Sequence, residues 1–294
     1  MTLMNSTRPR LGVALGGGTA RGLAHVGALK VLEAHGSPPD MIAGTSYGAI
    51  IAALYALGMH GVALDHLLRQ QNNLEIWAQG VDFGLHRLAL IHGRKLAQWL
   101  DRKFFFGATF EDAEIPLAIG CADLGTGELV VISEGSIAVA VQASCALPLY
   151  FAPVRWQGRF LIDGGFVEPV PFQTLKALKP DLMVGIHTGI EADRSRLIQG
   201  VRWLGRTPFG RAFHRLARAV PLSWPLGQLL RGCSVTAYSY EHRVEAPPGA
   251  LLVRAAPSIA WWDFHRSPVA IAAGEVAMEE ALDQIPFGRV RPRT

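Results

Sequence analysis

The sequence predicts an α/β fold, on three observations. Short apolar runs alternate with stretches of helical spacing along most of the chain. Two strand, glycine-loop, helix units stand close together near the N-terminus. Half of the 294 residues are apolar and only 18% are charged, which suits a buried sheet and not a disordered or collagen-like chain.

Leu11–Leu15 reads as a buried strand running into glycines. Arg21–His35 has Leu23, Val26, Leu29 and Leu32 at helical spacing and stops at Gly36, with Pro38 and Pro39 beyond. Met41–Ala43 is a second short strand, and Tyr47–Leu57 is apolar all round, hence a buried helix. His60–Phe106 reads as helical with breaks at Gly80, Gly84 and Gly93. Pro116–Ala122 and Glu128–Ile132 flank Asp123–Gly127 as a hairpin. Further on come a helix at Ser136–Ala146, a strand at Phe160–Ile162, a helix at Pro171–Leu178 and a buried strand at Leu182–Ile186. A strand at Leu251–Arg254 and a helix from about Pro268 to Leu282 complete the pattern. No repeat or low-complexity linker divides the chain. Residues 1–10 read as a disordered tail and residues 11–285 as one domain.

Three segments carry chemistry. The first is Gly44-Thr-Ser46-Tyr-Gly48, between a strand and an apolar helix. A serine on such a turn projects its hydroxyl away from the sheet, and the flanking glycines let the backbone make the turn. The same residue would also serve as a helix N-cap, but the strand-to-helix context favours a nucleophile. The second is Gly16-Gly17-Gly18-Thr19-Ala-Arg21-Gly22, a loop that presents N–H groups to anions. It is not a dinucleotide fingerprint, because Arg21 stands where the last glycine belongs, and it lacks the Gly-Lys-Ser/Thr of a P-loop. What remains is an oxyanion hole. Arg21 is unfavourable at a helix start, which points to bracing the loop, holding a substrate phosphate or simple solvation. The third is Asp163-Gly164-Gly165 at a strand end, a general base for a serine or an ordinary turn.

In this order the segments resemble the patatin-like phospholipase family, from Gly12 to about Ile186, with a weaker echo near Asp263–Ala281. The likeness is to its bacterial members, through the GGGxARG opening, the following helix, and Ala143-Ser-Cys-Ala-Leu-Pro148 with Phe151-Ala-Pro153 ahead of Asp-Gly-Gly. The resemblance implies a three-layer α/β/α sandwich of patatin type, with a central mostly parallel sheet and helices on both faces. It implies a Ser–Asp dyad without histidine, Ser46 as nucleophile and Asp163 as base. Gly16, Gly17 and Gly18 would form the oxyanion hole, supported by Thr19, Arg21, Gly44, Gly48, Gly164 and Gly165. Its members cleave carboxylic esters of lipids, often phospholipids or lysophospholipids, with no metal or organic cofactor. The family pattern fades after Ile186.

Two other readings compete. One is an α/β-hydrolase triad using His187, His214, His242 or His265, although only one clear strand precedes that of Ser46. His25 reads as a packed or hydrogen-bonded histidine. The other is a non-catalytic lipid-binding regulator on the same scaffold. Cys121 and Cys145 read as core thiols, and the three cysteines form no CxxC pair that would mark a metal or redox site. Asp123 and Glu168 read as structural.

The net charge of +4 is unevenly spread: Arg194–Arg231 holds eight arginines and no acidic residue, interleaved with Trp203, Phe209, Phe213, Leu216, Trp224 and Leu226. Phe209–Val220 fits an amphipathic helix with Phe213, Leu216 and Val220 on one face, suited to peripheral contact with an anionic membrane or to ordinary packing. No nucleic-acid fold motif accompanies the charge, and none is expected as partner. Leu11–Leu15 is too short for a signal peptide or span. The expectation is a cytoplasmic protein, at most peripheral at the inner membrane surface, with a lipid or acyl-ester substrate and no oligomeric state set by the sequence.

Overall fold

A computed structural model describes residues 8–69, 94–148, 150–189, 207–238, 244–260 and 262–285. The chain opens with β1 (Leu11–Leu15), a 3₁₀ turn at Thr19–Leu23 and α1 (Ala24–Ala34). Next come β2 (Met41–Thr45), α2 (Tyr47–Ala56), α3 (Gly61–Arg69) and α4 (Arg94–Leu100). β3 (Leu117–Asp123) and β4 (Leu129–Ile132) form the expected hairpin, followed by α5 (Ile137–Ser144), β5 (Val154–Trp156) and β6 (Arg159–Asp163). The remainder is α6 (Phe172–Lys176), β7 (Leu182–His187), α7 (Pro208–Ala219), α8 (Pro225–Tyr238), β8 (Ala250–Arg254) and α9 (Ser267–Ala281).

The eight strands make one mixed sheet. β3, β2, β1, β7 and β8 lie side by side and parallel. β4 and β6 pair antiparallel with β3, and β5 antiparallel with β6. The register around β3 positions the site. Gly120 pairs with Thr45 of β2 and with Val131 of β4, while Cys121 pairs with Val130 of β4 and Asp163 of β6. A strand has only two edges, so β2 and β6 share the edge opposite β4, one after the other. β2 runs with β3 and β6 against it, so their C-terminal ends meet head to head.

Side-chain alternation along β1 sorts the core into layers. Leu11, Val13 and Leu15 pack with α1, α2, α5 and α9 on one face. Ala14 lies on the other with Met41, Ala43, Ala118, Val170, Phe172 and Leu175, under α6. The result is an α/β/α sandwich with a thick and a thin helical layer. In the thick layer α1 and α9 cross in backbone contact. A Cβ on Gly274 would lie 1.8 Å from the Ala24 carbonyl oxygen, and one on Gly27 would lie 2.0 Å from that of Ile271. Lys30 ties the crossing to α3, donating to Asp65 at 2.8 Å and also to Glu275.

Several elements differ from the sequence reading. β5 has three residues, too few for alternation to show. α8 begins with Pro225 at its first helical position, where a missing N–H costs nothing. Of the helical stretch His60–Phe106, residues 70–93, with Gly80, Gly84 and Gly93, lie outside the described residues. So do residues 1–7 of the expected tail. Its end is tied down, because Arg8 pairs with Asp40 at 2.7 Å and the Arg10 N–H donates to Asp181 at 2.8 Å.

Residues 194–206 of the basic stretch also lie outside the described residues, and the rest is the α7–α8 hairpin. Arg231 fastens it. Its guanidinium donates to the carbonyls of Ala217 and Arg218 (2.9 Å each) at the end of α7, and to Gly125 (2.7 Å) in the β3–β4 turn. A cation there satisfies carbonyls that a helix end leaves unpaired. Leu222, between the helices, packs with Phe166 and Val167 on the small cluster of Ala122, Leu124 and Ile162. Among the described side chains of α7 Ala217 is the buried one, whereas Leu216 is exposed and Phe213 and Val220, just past its end, are half-buried. The three apolar residues expected on one face therefore do not share one environment.

Candidate active site

Ser46 sits between the last residue of β2 and the first of α2, with φ 54° and ψ −127°. A non-glycine residue held there costs about 1–3 kcal/mol, so its surroundings must impose it. The imposition is close packing. A Cβ on Gly48 would lie 2.2 Å from the Leu15 carbonyl oxygen, and one on Gly44 would lie 2.5 Å from that of Gly48. The elbow is thus wedged against β1. The hydroxyl of Ser46 caps no helix N–H, and stands close enough to the carboxylate of Asp163 to favour its charged form. The backbone N–H of Ser46 donates to Ser144 Oγ at 2.9 Å.

Asp163 ends β6 where β2 ends, and the head-to-head strands bring it to Ser46. It is 3% exposed. One carboxylate oxygen accepts the Gly165 N–H at 2.7 Å, and a Cβ on Gly164 would lie 2.3 Å from the Gly120 carbonyl. Burial raises the Asp163 pKa to about 6, with the nearby Ser46 hydroxyl and the hydrogen bond from Gly165 opposing the rise.

The glycine loop leans over the serine: a Cβ on Gly17 would lie 3.4 Å from Ser46 Cβ and 4.0 Å from its Oγ. Nearly every polar group of the loop is already engaged. The N–H of Gly16 donates to Ile186 and that of Gly17 to Pro169, each at 3.0 Å. The Gly16 carbonyl accepts from His25 Nε2 at 2.7 Å and the Gly17 carbonyl from Thr188 Oγ1 at 2.9 Å. Of the three N–H groups expected to form an oxyanion hole, that of Gly18 alone has no partner among the described residues. Tyr47, at the start of α2, also has an N–H without a partner among them. Thr19 takes φ 50° and its hydroxyl donates to the Gly18 carbonyl at 2.7 Å. Arg21 is half-buried and its Nε donates to the Ile259 carbonyl at 3.0 Å, bracing the loop against that segment.

The remaining candidates fall outside this cluster. Glu168 accepts from the Thr174 hydroxyl at 2.7 Å and from the Gln173 N–H, capping α6. Asp123 accepts the Gly125 N–H at 2.7 Å inside its turn. Desolvation pushes the thiols of Cys121 and Cys145 up, which leaves them poor nucleophiles. His265 is exposed on a short 3₁₀ turn and His187 ends β7. Nothing is described of the His214 side chain, and His242 lies outside the described residues. His25 is fully buried and its pKa falls to about 4, chiefly by desolvation. Among the described residues no group of three His, Cys, Asp or Glu side chains is placed to hold a metal ion.

Sequence reasoning missed the supports of the cluster. Thr188 has no motif of its own, and Ser144 stands in the family-like segment Ala143–Pro148 without a role read for it. A serine inside an apolar helix, followed by Pro148, was the available signal for Ser144.

Fold and site define a class first: an α/β protein with a strained serine on a strand-to-helix elbow, beside a buried aspartate and under a glycine loop. The family follows from comparison. The chain belongs to the patatin-like phospholipase family, whose model matches residues 13–176, more than half its length. An uncharacterised NTE family protein of Mycobacterium tuberculosis is 29% identical over 216 residues, covering 70% of this chain and 58% of the relative. A lysophospholipase of the NTE type from Aspergillus fumigatus is 29% identical over 195 residues, covering 65% of this chain and 12% of the relative. The chain thus spans little more than half of the mycobacterial relative and a small part of the fungal one. Among solved structures, VipD from Legionella pneumophila aligns with a TM-score of 0.49 at 14% identity, over 95% of this chain and 67% of VipD.

Proposed function

We propose that this protein is a serine acyl hydrolase acting on lipid esters, of phospholipase, lysophospholipase or esterase type, with Ser46 as nucleophile and Asp163 as base. The observation that carries the reading is the strained Ser46, set beside the buried carboxylate of Asp163, whose pKa is about 6. Family membership and a relative named lysophospholipase support the substrate class.

Asp163 takes the hydroxyl proton as Ser46 Oγ attacks the acyl carbonyl. The Gly18 and Tyr47 N–H groups face the new oxyanion, while Gly16 and Gly17 hold the loop in place. Such donors are each worth roughly a hundred- to thousandfold in rate. The ester C–O bond breaks, and Asp163 returns the proton to the departing alcohol. Water then attacks the acyl-enzyme, gives its proton to Asp163, and the released Ser46 oxygen takes it back with loss of the fatty acid.

The α7–α8 hairpin supplies the contact with lipid in this reading. Its described part exposes Arg215 and Arg218 with no acidic residue beside them, and exposes Leu216 (58%), Trp224 (61%) and Leu226 (47%). Cations beside exposed apolar side chains match an anionic bilayer surface, at about 1 kcal/mol per basic residue. No helix among the described residues is long and apolar enough to cross a membrane. Salt-sensitive binding to phosphatidylglycerol vesicles, weakened in Arg215→Gln with Arg218→Gln, is expected. Equal binding to neutral vesicles would count against this contact.

The deciding experiment is treatment with a fluorophosphonate, intact mass measurement and peptide mapping. One adduct on Ser46, absent in Ser46→Ala and strongly slowed in Asp163→Asn, is expected. A folded protein that forms no adduct would be a lipid-binding regulator instead, and an adduct elsewhere would mean another nucleophile.

A further inference from the structure

β2 and β6 meet end to end along one edge of β3, and no ladder joins their tips. β3 sets the register of both tips, but Ser46 lies one residue beyond the last paired residue of β2, so something outside the sheet must hold its elbow against Asp163. We infer that the segment Ser144–Ala146, at the end of α5, is that device, with Ser144 as a positioning residue that holds the Ser46 elbow and the Ala146 carbonyl holding Asp163. The inference rests on the Ser46–Asp163 reading above.

The Ser144 hydroxyl is fully buried and used in both directions. It accepts the Ser46 N–H at 2.9 Å and donates to the Gly120 carbonyl at 2.7 Å. Gly120 is the last residue of β3 paired with β2, next to the first paired with β6. Two residues after Ser144, the Ala146 carbonyl accepts the Asp163 N–H at 3.0 Å. One short segment thus grips both strand tips and the strand between them. The grip also accounts for the strain. A positive φ persists at a non-glycine residue only where its neighbours over-determine it, and the Ser46 N–H is fixed by Ser144. Removing that hydroxyl leaves a buried N–H and a buried C=O unpaired. The elbow then relaxes, and the Ser46 hydroxyl drifts from the carboxylate.

The test compares Ser144→Ala with Ser136→Ala. Ser136 caps the opposite end of the same helix, accepting the Val139 N–H at 3.5 Å, and so controls for loss of α5 stability. Two readouts are taken: the rate of fluorophosphonate labelling at Ser46, and the titration of Asp163 by carboxyl carbon NMR, which needs no activity. In Ser144→Ala we expect labelling slowed about tenfold to a hundredfold, the scale of a displacement of about 1 Å. The Asp163 pKa should rise above its wild-type value as the Ser46 hydroxyl, which lowers it, moves away. Ser136→Ala should lower the melting temperature while leaving both readouts unchanged. Wild-type labelling and titration in Ser144→Ala, or the same changes in Ser136→Ala, would overturn the positioning role. Absence of labelling in the wild type, with the titration shift intact in Ser144→Ala, would sink the hydrolase reading and leave the positioning role standing.

Discussion

An aspartate at its ordinary pKa of about 3.9 is a weak acceptor for a serine proton. Asp163 is lifted to about 6 by burial and not by a neighbouring negative charge. That brings its basicity towards neutrality while leaving it ionised at pH 7. The rate of Ser46 acylation should therefore follow an acid limb near pH 6, falling roughly tenfold per unit below it. A pH–rate profile with a short-chain ester or the fluorophosphonate checks this. A limb near 4 would mean that the carboxylate is solvated, and a limb that survives in Asp163→Asn would belong to another group. At this scale the sequence was informative about identity and silent about state. Gly44-Thr-Ser-Tyr-Gly48 marks its own turn through local sterics. Nothing near Asp163 in the sequence discloses its burial, because that burial is supplied by distant segments.

The crossing of α1 and α9 shows two element-level effects in conflict. Glycine inside a helix is worth about 1 kcal/mol less than alanine, so propensity favours Gly274→Ala. Packing opposes it, since the new methyl would lie 1.8 Å from the Ala24 carbonyl, on a backbone that cannot rotate away. Packing should win. Gly274→Ala is expected to destabilise by about 1–3 kcal/mol, the usual cost of overpacking, at an unchanged denaturant m-value. A stabilised variant would show that the two helices separate freely. Elements formed by local pattern were legible, including β1, β2, the β3–β4 hairpin and the helices after each glycine loop. β5 and α8 were not. Three residues carry no periodicity, and a segment with Gly227, Gly232, Val235 and Thr236 has weak helix propensity, so its helix shows only once Arg231 is seen fastening two helices together.

Across the whole molecule, two buried groups give opposite pH dependences of stability. Asp163 is raised from 3.8 to about 6, so the folded state binds more protons than the unfolded one between these values. Its contribution is therefore lost as pH rises through that window. His25 is lowered from 6.5 to about 4, so its contribution is lost as pH falls from 6.5 to 4. The two offset each other. Asp163→Asn removes one side of the balance: relative to the wild type, the variant should gain about 2 kcal/mol between pH 4 and pH 6, the part of the full linkage that falls between those pH values. Chemical unfolding of both proteins at the two pH values measures it, and a constant difference would mean an unperturbed carboxyl. The sequence by itself determined the α/β class, the two strand, loop and helix units, the Ser46 elbow and the basic, acid-free stretch. Each of these depends on residues within a turn or two of one another. Only the tertiary structure decided that β6 takes over the edge of β3 where β2 stops, which brings Asp163 to Ser46. It also decided that the N–H groups of Gly16 and Gly17 are committed while that of Gly18 is not, and that Ser144 reaches the elbow from another helix. Those outcomes depend on strand register and on which buried donors find partners, and contacts between distant segments fix both.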